Sequence, residues 1–253
     1  MRRKLIYFIM ALCMMTAKAF AMVNINPIYV DFNANDNKRT QTLSVINNTS
    51  KPQTYQISWK NYKEDETGAK KELTEVPDFA ASKYLMFAPK QFTLKPGKTQ
   101  NIRLVMKSMA NAEDGEYTSY LHVSERLLGL PEGEKEENGE FAIGIKFLMA
   151  AAVPVSIVKG DLTQETEIVD YKKDGNKFEV RLARKGERTS HINLSLLNED
   201  GEEVGYIGNI HIRSKINPSK YSFSLDENKK LPKFIKLEDA NTKKEILRKD
   251  ISL

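Results

Sequence analysis

Cysteine is nearly missing from this chain: Cys13 is the only one in 253 residues, and it lies in an apolar N-terminal run. Without a second thiol no internal disulfide can form, and a thiolate metal cluster has no ligands. Histidine is also scarce, with three residues, and tryptophan occurs once. The nucleophile elbow G-x-S-x-G, the zinc motif H-E-x-x-H and a phosphate-binding glycine loop are all absent from the sequence. These absences exclude the common hydrolase and nucleotide-dependent classes and point away from an enzyme. No cofactor motif is present either. Stability has to come from apolar cores, and the length suffices for one large core or two modest ones.

Positive charge is concentrated where it says little about partners. The chain opens MRRKLIYFIMALCMMTAKAFA, a basic start followed by an apolar run from Leu5 to Met15 and then Ala19-Phe20-Ala21. That order predicts a secretory signal peptide over residues 1–21, cleaved after Ala21. The apolar run is shorter than the roughly 20 residues of a spanning helix, so no direct membrane insertion is expected after cleavage. Bulky Leu12 before Cys13 disfavours a lipoprotein signal. Residues 1–21 carry four basic and no acidic residues, so their removal takes the formal charge from +5 to +1. No nucleic-acid partner is implied by the remainder. A periplasmic location is the expectation.

Short runs rich in Val, Ile, Thr, Tyr and Phe recur between turn signals. They include TQTLSVIN (40–47), QTYQISW (53–59), KTQNIRLVM (98–106) and GEYTSYLHVS (115–124). Breaks fall at Asn47-Asn48, Glu66-Thr67-Gly68 and Pro96-Gly97. The pattern continues with NKFEVRLARKG (176–186), HINLSLLNEDGEEVGYIGNIHIRS (191–214), KYSFSLDE (220–227) and KFIKLED (233–239), with Asp200-Gly201 as a hairpin signal. Evenly spaced strands without a helical period predict an all-β chain of two immunoglobulin-like sandwiches, 22–157 and 160–253. A helical turn is expected only near Pro77–Ser82, and Trp59 is expected under the first sandwich.

The stretch GEFAIGIKFLMAAAVPVSIVKG (139–160) is the least ordinary. Gly144, Lys146 and Pro154 argue against a membrane helix. Counting by two from Phe141 through Ile143, Ile145, Phe147 and Met149 to Ile157 meets no polar residue, which predicts a long strand over about 141–157 with one apolar face. At about 3.3 Å per residue it exceeds twice a typical strand. Two readings follow. The face belongs to the chain's own core, or part of it is an open edge used to join another chain. The charged loop before it, LLGLPEGEKEENGE (127–140), favours the second.

Several motifs together resemble a known family, the periplasmic chaperones of the chaperone-usher pilus pathway, in a divergent branch. They are YLMFAPKQFTLKPGKTQNIRLVM (84–106) with Pro96-Gly97, Gln100 and Arg103, VINNTSKPQTYQISW (45–59), DGEYTSYLHVSE (114–125), the VPV at 153–155, and RKGERTSHINLSLLNEDGEEVG (184–205). The resemblance implies two immunoglobulin-like domains in a boomerang. It also implies a client, a pilin or fimbrial subunit, whose incomplete sandwich is completed by the chaperone's strand before delivery to an outer-membrane usher. Phe141, Ile143, Ile145 and Phe147 match the donor positions, and burying each such side chain is worth roughly 1.5–3 kcal/mol.

One part of the family pattern is missing. The resemblance calls for two basic residues holding the client's terminal carboxylate, yet INPIYVDF (25–32) and Met149–Ala152 contain none. Lys146 and Arg103 are the candidate substitutes. His122, His191 and His211 lie in predicted strands without a Cys or acidic partner at ligand spacing, so no metal site is expected. The competing reading is a secreted structural or adhesive surface protein whose long strand is only core. Self-association through an exposed edge is a further expectation for the free chain.

Overall fold

The computed structural model describes residues 24–64, 69–126, 148–215, 217–226 and 231–251. The predicted signal peptide, the loop 127–140 and the donor positions 141–147 lie outside them. Among the described residues the chain forms two β-sandwiches, and no helix is long and apolar enough to cross a membrane. Alternation of apolar and polar residues makes the strands: every second side chain enters a core, as in Leu43 and Val45 or Ile102 and Leu104.

The first sandwich uses β1 (Asn24–Asn26), β2 (Val30–Asn33), β3 (Thr40–Ile46), β4 (Gln53–Lys60), β5 (Tyr62–Glu64), β6 (Lys70–Glu72), β7 (Leu85–Ala88), β8 (Gln91–Leu94), β9 (Thr99–Met106), β10 (Gly115–Arg126) and β11 (Ala150–Lys159). One sheet has the order β1-β3-β9-β7, the facing sheet β2-β11-β10-β4-β8, and β5 and β6 form a small hairpin. The chain's first strand is shared between the two sheets. β1 pairs antiparallel with β3, then a segment with a cis Asn26–Pro27 peptide leads to β2, which pairs parallel with β11. The expected helical turn is a 3-10 turn at Ala81–Lys83, and Trp59 is partly buried against the first core.

The second sandwich uses β12 (Thr166–Asp174), β13 (Lys177–Arg184), β14 (Ser190–Leu197), β15 (Glu203–Ile212), β16 (Ser219–Ser224), β17 (Phe234–Asp239) and β18 (Glu245–Asp250). Its sheets are ordered β12-β13-β16 and β15-β14-β17-β18. The Asp200-Gly201 signal forms the β14–β15 turn, with Gly201 at φ 82° and the Asn198 side chain accepting from the amides of Asp200 and Glu202. The buried apolar residues fall into two separate clusters, one from Ile25 to Ile157 and one from Ile168 to Ile251. Between them the chain turns at Gly160, whose φ of 84° suits glycine and whose missing Cβ leaves room for the Asp114 carboxyl.

The described part of the segment predicted as one long strand is not uniform. Val153, Val155 and Ile157 are buried in the first core, whereas Leu148 is 49% and Met149 38% exposed. β11 also runs to Lys159, two residues past the expected end at 157. Truncating Ile157 to Ala should therefore cost about 2–5 kcal/mol. Leu148→Ala should change stability by less than about 0.5 kcal/mol. Denaturant unfolding of the two variants beside the parent measures both.

Candidate functional site

β11 lies between two neighbours, but only one of them accompanies it throughout. β10 pairs with it from Gly115↔Lys159 to Ser124↔Ala150. On the other edge β2 pairs only from Val155↔Val30 to Val158↔Asn33. Among the described residues the edge from Ala150 to Pro154 therefore has no strand partner. The β10 side continues past the strand's assigned end, since the Glu125 amide donates to the Met149 carbonyl at 2.9 Å. Ala150 and Ala152 on this edge are small and exposed, whereas Pro154 is buried and has no N–H to donate. An edge without a strand partner is a template for another strand, here up to Pro154.

The other face of the same strand is linked to the second sandwich through Tyr29 and Asp31. Ser156 is buried between strands and shares a 2.6 Å hydrogen bond with the Tyr29 hydroxyl, and it donates to Asp31 Oδ1 at 3.2 Å. Asp31 sits between the core residues Val30 and Phe32, so alternation turns its side chain outward. By the same rule His211, between Ile210 and Ile212, leaves the second core and faces Asp31. Its Nε2 lies 3.9 Å from Asp31 Oδ2. The Tyr29 and His211 rings are 3.7 Å apart, and His191 stacks on His211 at 4.2 Å with 11° between planes.

This junction shifts its own titrations. Burial first, then the charges of His191 and Arg213, push His211 down to about 3, so the ring is neutral at physiological pH. Partial desolvation raises the Asp31 carboxyl above the usual carboxylate range, opposed by its hydrogen bonds to Tyr29 and Ser156. Burial, then the Asp31 charge, raises the Tyr29 hydroxyl. A cavity of about 500 Å³ opens beside these groups. A second, of about 290 Å³, brings together Lys70, Arg184 and Arg213 with Tyr62 and Tyr120.

The residues singled out from sequence are distributed unevenly over this site. Phe141, Ile143, Ile145, Lys146 and Phe147 lie outside the described residues. Arg103 is exposed on β9, paired with Thr42 and Ala88 in the sheet that does not contain β11. His122 is half-buried on β10 beside Ala152, its titration lowered by burial and by Lys60. His191 and His211 have an acidic neighbour after all: Asp31, far away in sequence, brings its carboxylate to them across the junction. The expectation of strand histidines without acidic company fails there because the carboxylate arrives from β2 of the other sandwich and not from a position near either histidine along the chain. The hairpin between β14 and β15 could be expected from Asp200-Gly201, but its register could not. The pairing starts at Leu197↔Glu203, and two irregularities, between Leu196 and Leu197 and between Ile192 and Leu194, shift it until His191 faces His211.

The solved structures similar to this chain include pilus and fimbrial chaperones. One is the CsuC–CsuE chaperone-tip adhesion subunit complex from archaic chaperone-usher Csu pili of Acinetobacter baumannii, with 16% identity, a TM-score of 0.46, and 90% of this chain and 98% of that chain covered. The Salmonella enterica SafA pilin–SafB chaperone complex is similar at 14% identity and TM-score 0.44, covering 94% and 99%. The E. coli chaperone DraB is similar at 14% identity and TM-score 0.41, covering 92% and 99%. No protein-family model and no curated protein matches the chain.

One ion pair ties the two sandwiches together directly. Glu116, next to the core residue Tyr117 on β10, accepts from Arg184 at 2.8 Å and from the Thr189 amide at 3.0 Å. Its side chain is 9% exposed and that of Arg184 19%. Removing one partner of such a pair strands the other charge. Glu116→Ala should therefore destabilise the chain by about 3 kcal/mol, whereas Asp170→Ala, which breaks the exposed Arg181–Asp170 pair, should cost at most about 1 kcal/mol. Urea unfolding of both variants makes the comparison.

Proposed function

We propose that the chain is a periplasmic chaperone that holds pilus or fimbrial subunits by donating a strand and passes them to an outer-membrane usher. The observation that carries this reading is the half-paired β11, with its free edge from Ala150 to Pro154 next to the apolar donor positions in sequence. The order of family motifs along the chain and the predicted signal peptide support it from the sequence side. Extended from Met149 back to Phe141, the strand presents Phe141, Ile143, Ile145 and Phe147 on one face by alternation. A client missing a strand would gain main-chain hydrogen bonds along this edge and bury those side chains in its own groove. No nucleotide is needed, since a competing strand from the next subunit releases the client.

The client's terminal carboxylate needs a cation. Lys70 and Arg213, which line a common cavity between the sandwiches, join Lys146 and Arg103 as candidates. A secreted structural or adhesive protein is the second reading, and it is favoured by Val153, Val155 and Ile157 lying in the chain's own core. The two readings separate in one experiment. The full chain and an Ile143→Asp, Ile145→Asp double variant are co-expressed with a candidate pilin in the periplasm, and the client is sought by co-purification. The expected result is a folded, soluble variant that has lost its client, because a carboxylate carried into an apolar groove is costly. A variant that unfolds assigns these side chains to the chain's own core and favours the structural reading. One that keeps its client excludes strand donation through 141–147.

A further inference from the structure

We propose that Asp31, His191 and His211 form a binding site for one divalent transition-metal ion of the zinc type at the junction of the two sandwiches. The three residues each offer one ligand atom, and these atoms all lie within 4.8 Å of one another. They come from β2 on one side and from the paired strands β14 and β15 on the other, with His191 and His211 as direct cross-strand partners. Nε2 of both histidines is buried and has no hydrogen-bond partner. Buried polar nitrogens are ordinarily satisfied, and two such atoms side by side facing a carboxylate point to a shared ligand.

The donor set selects the ion. Two imidazole nitrogens and a carboxylate oxygen suit zinc and its neighbours, whereas calcium and magnesium take oxygen ligands. A tetrahedral zinc ion with bonds of about 2.0–2.1 Å needs its donors about 3.3 Å apart, so the present set must close by at most about 1.5 Å. The near-parallel imidazoles cannot both aim at one point while stacked, so binding requires the rings to turn about their Cβ–Cγ bonds, with the Tyr29 ring against His211 giving way. Asp31, His191 and His211 all line the 500 Å³ cavity, whose wall also carries Asp36 and Asp161 and provides a route for the ion. The opposing charges nearby are Lys38 and Arg188, which line the same cavity, and Arg213, whose guanidinium is stacked 4.5 Å from the Tyr29 ring centre. An ion bound here would cross-link the first sandwich to the second, independently of any client.

The test uses the full chain, stripped with a chelator and titrated with zinc chloride by calorimetry near neutral pH. The expected result is one equivalent bound with a rise in melting temperature, and an affinity at least about tenfold weaker in both Asp31→Asn and His211→Ala. His122→Ala, remote from the junction, should bind as the parent does. Substituting cobalt gives a visible ligand-field spectrum that reports tetrahedral nitrogen and oxygen donors in the unmutated chain, so the assignment stays testable if His211→Ala fails to fold. Absence of binding by the folded parent, or of the cobalt band, overturns the proposal. Equal zinc affinity in the parent and both junction variants also overturns it and identifies an adventitious ion only.

Discussion

The antiparallel ladder between β10 and β11 is the interaction on which the rest of the molecule depends. It runs unbroken from Gly115↔Lys159 to Ser124↔Ala150, and its inward side chains, Tyr117, Leu121, Val123, Val153, Val155 and Ile157, form much of the first core. Of its outward residues, Glu116 reaches Arg184 and Thr189 of the second sandwich, while Tyr120 packs against Tyr62 of the first. Because β10 alone follows β11 throughout, β2 can leave the far edge of β11 free beyond Val155 without loosening the strand. The main-chain hydrogen bonds of one side hold the geometry that the other side presents.

The two kinds of contact made by this ladder have different physical roles. Apolar burial is nondirectional and supplies stability, which a chain with one cysteine cannot draw from disulfides. The junction is polar: Glu116 with Arg184 and Thr189, and Tyr29 with Ser156, Asp31 and His211. Such groups are satisfied in only a few arrangements, so they fix the angle between sandwiches more than they strengthen it. The same polar surfaces line the two junction cavities.

Much of the fold was legible along the chain where a strand is covered on one face and alternates cleanly, as in β3, β9, β10 and β17. The strands not anticipated share a different composition. β12 (TEIVDYKKD) buries only Thr166 and Ile168, carries a bulge between Ile168 and Asp170, and is charged beyond it. β18 (EILRKD) is a sheet edge without a buried residue. Edge strands carry charge to discourage pairing with other chains, and this removes the alternation that would betray them. The division of the first strand between β1 and β2 was equally hidden, since only a partner strand decides which sheet a segment joins.

The candidate site divides along the same line. Sequence alone determined the period of two that sends Val153, Val155 and Ile157 to one face and the turn at Asp200-Gly201, because these are local consequences of side-chain alternation and turn chemistry. Tertiary structure alone decided that Val153 to Ile157 are core while Ala150 to Pro154 keep an open edge, because that depends on where β2 stops pairing. It also brought Asp31 to the two histidines. Contacts between residues so far apart arise only when two separately folded cores dock, and no spacing along one chain encodes that geometry.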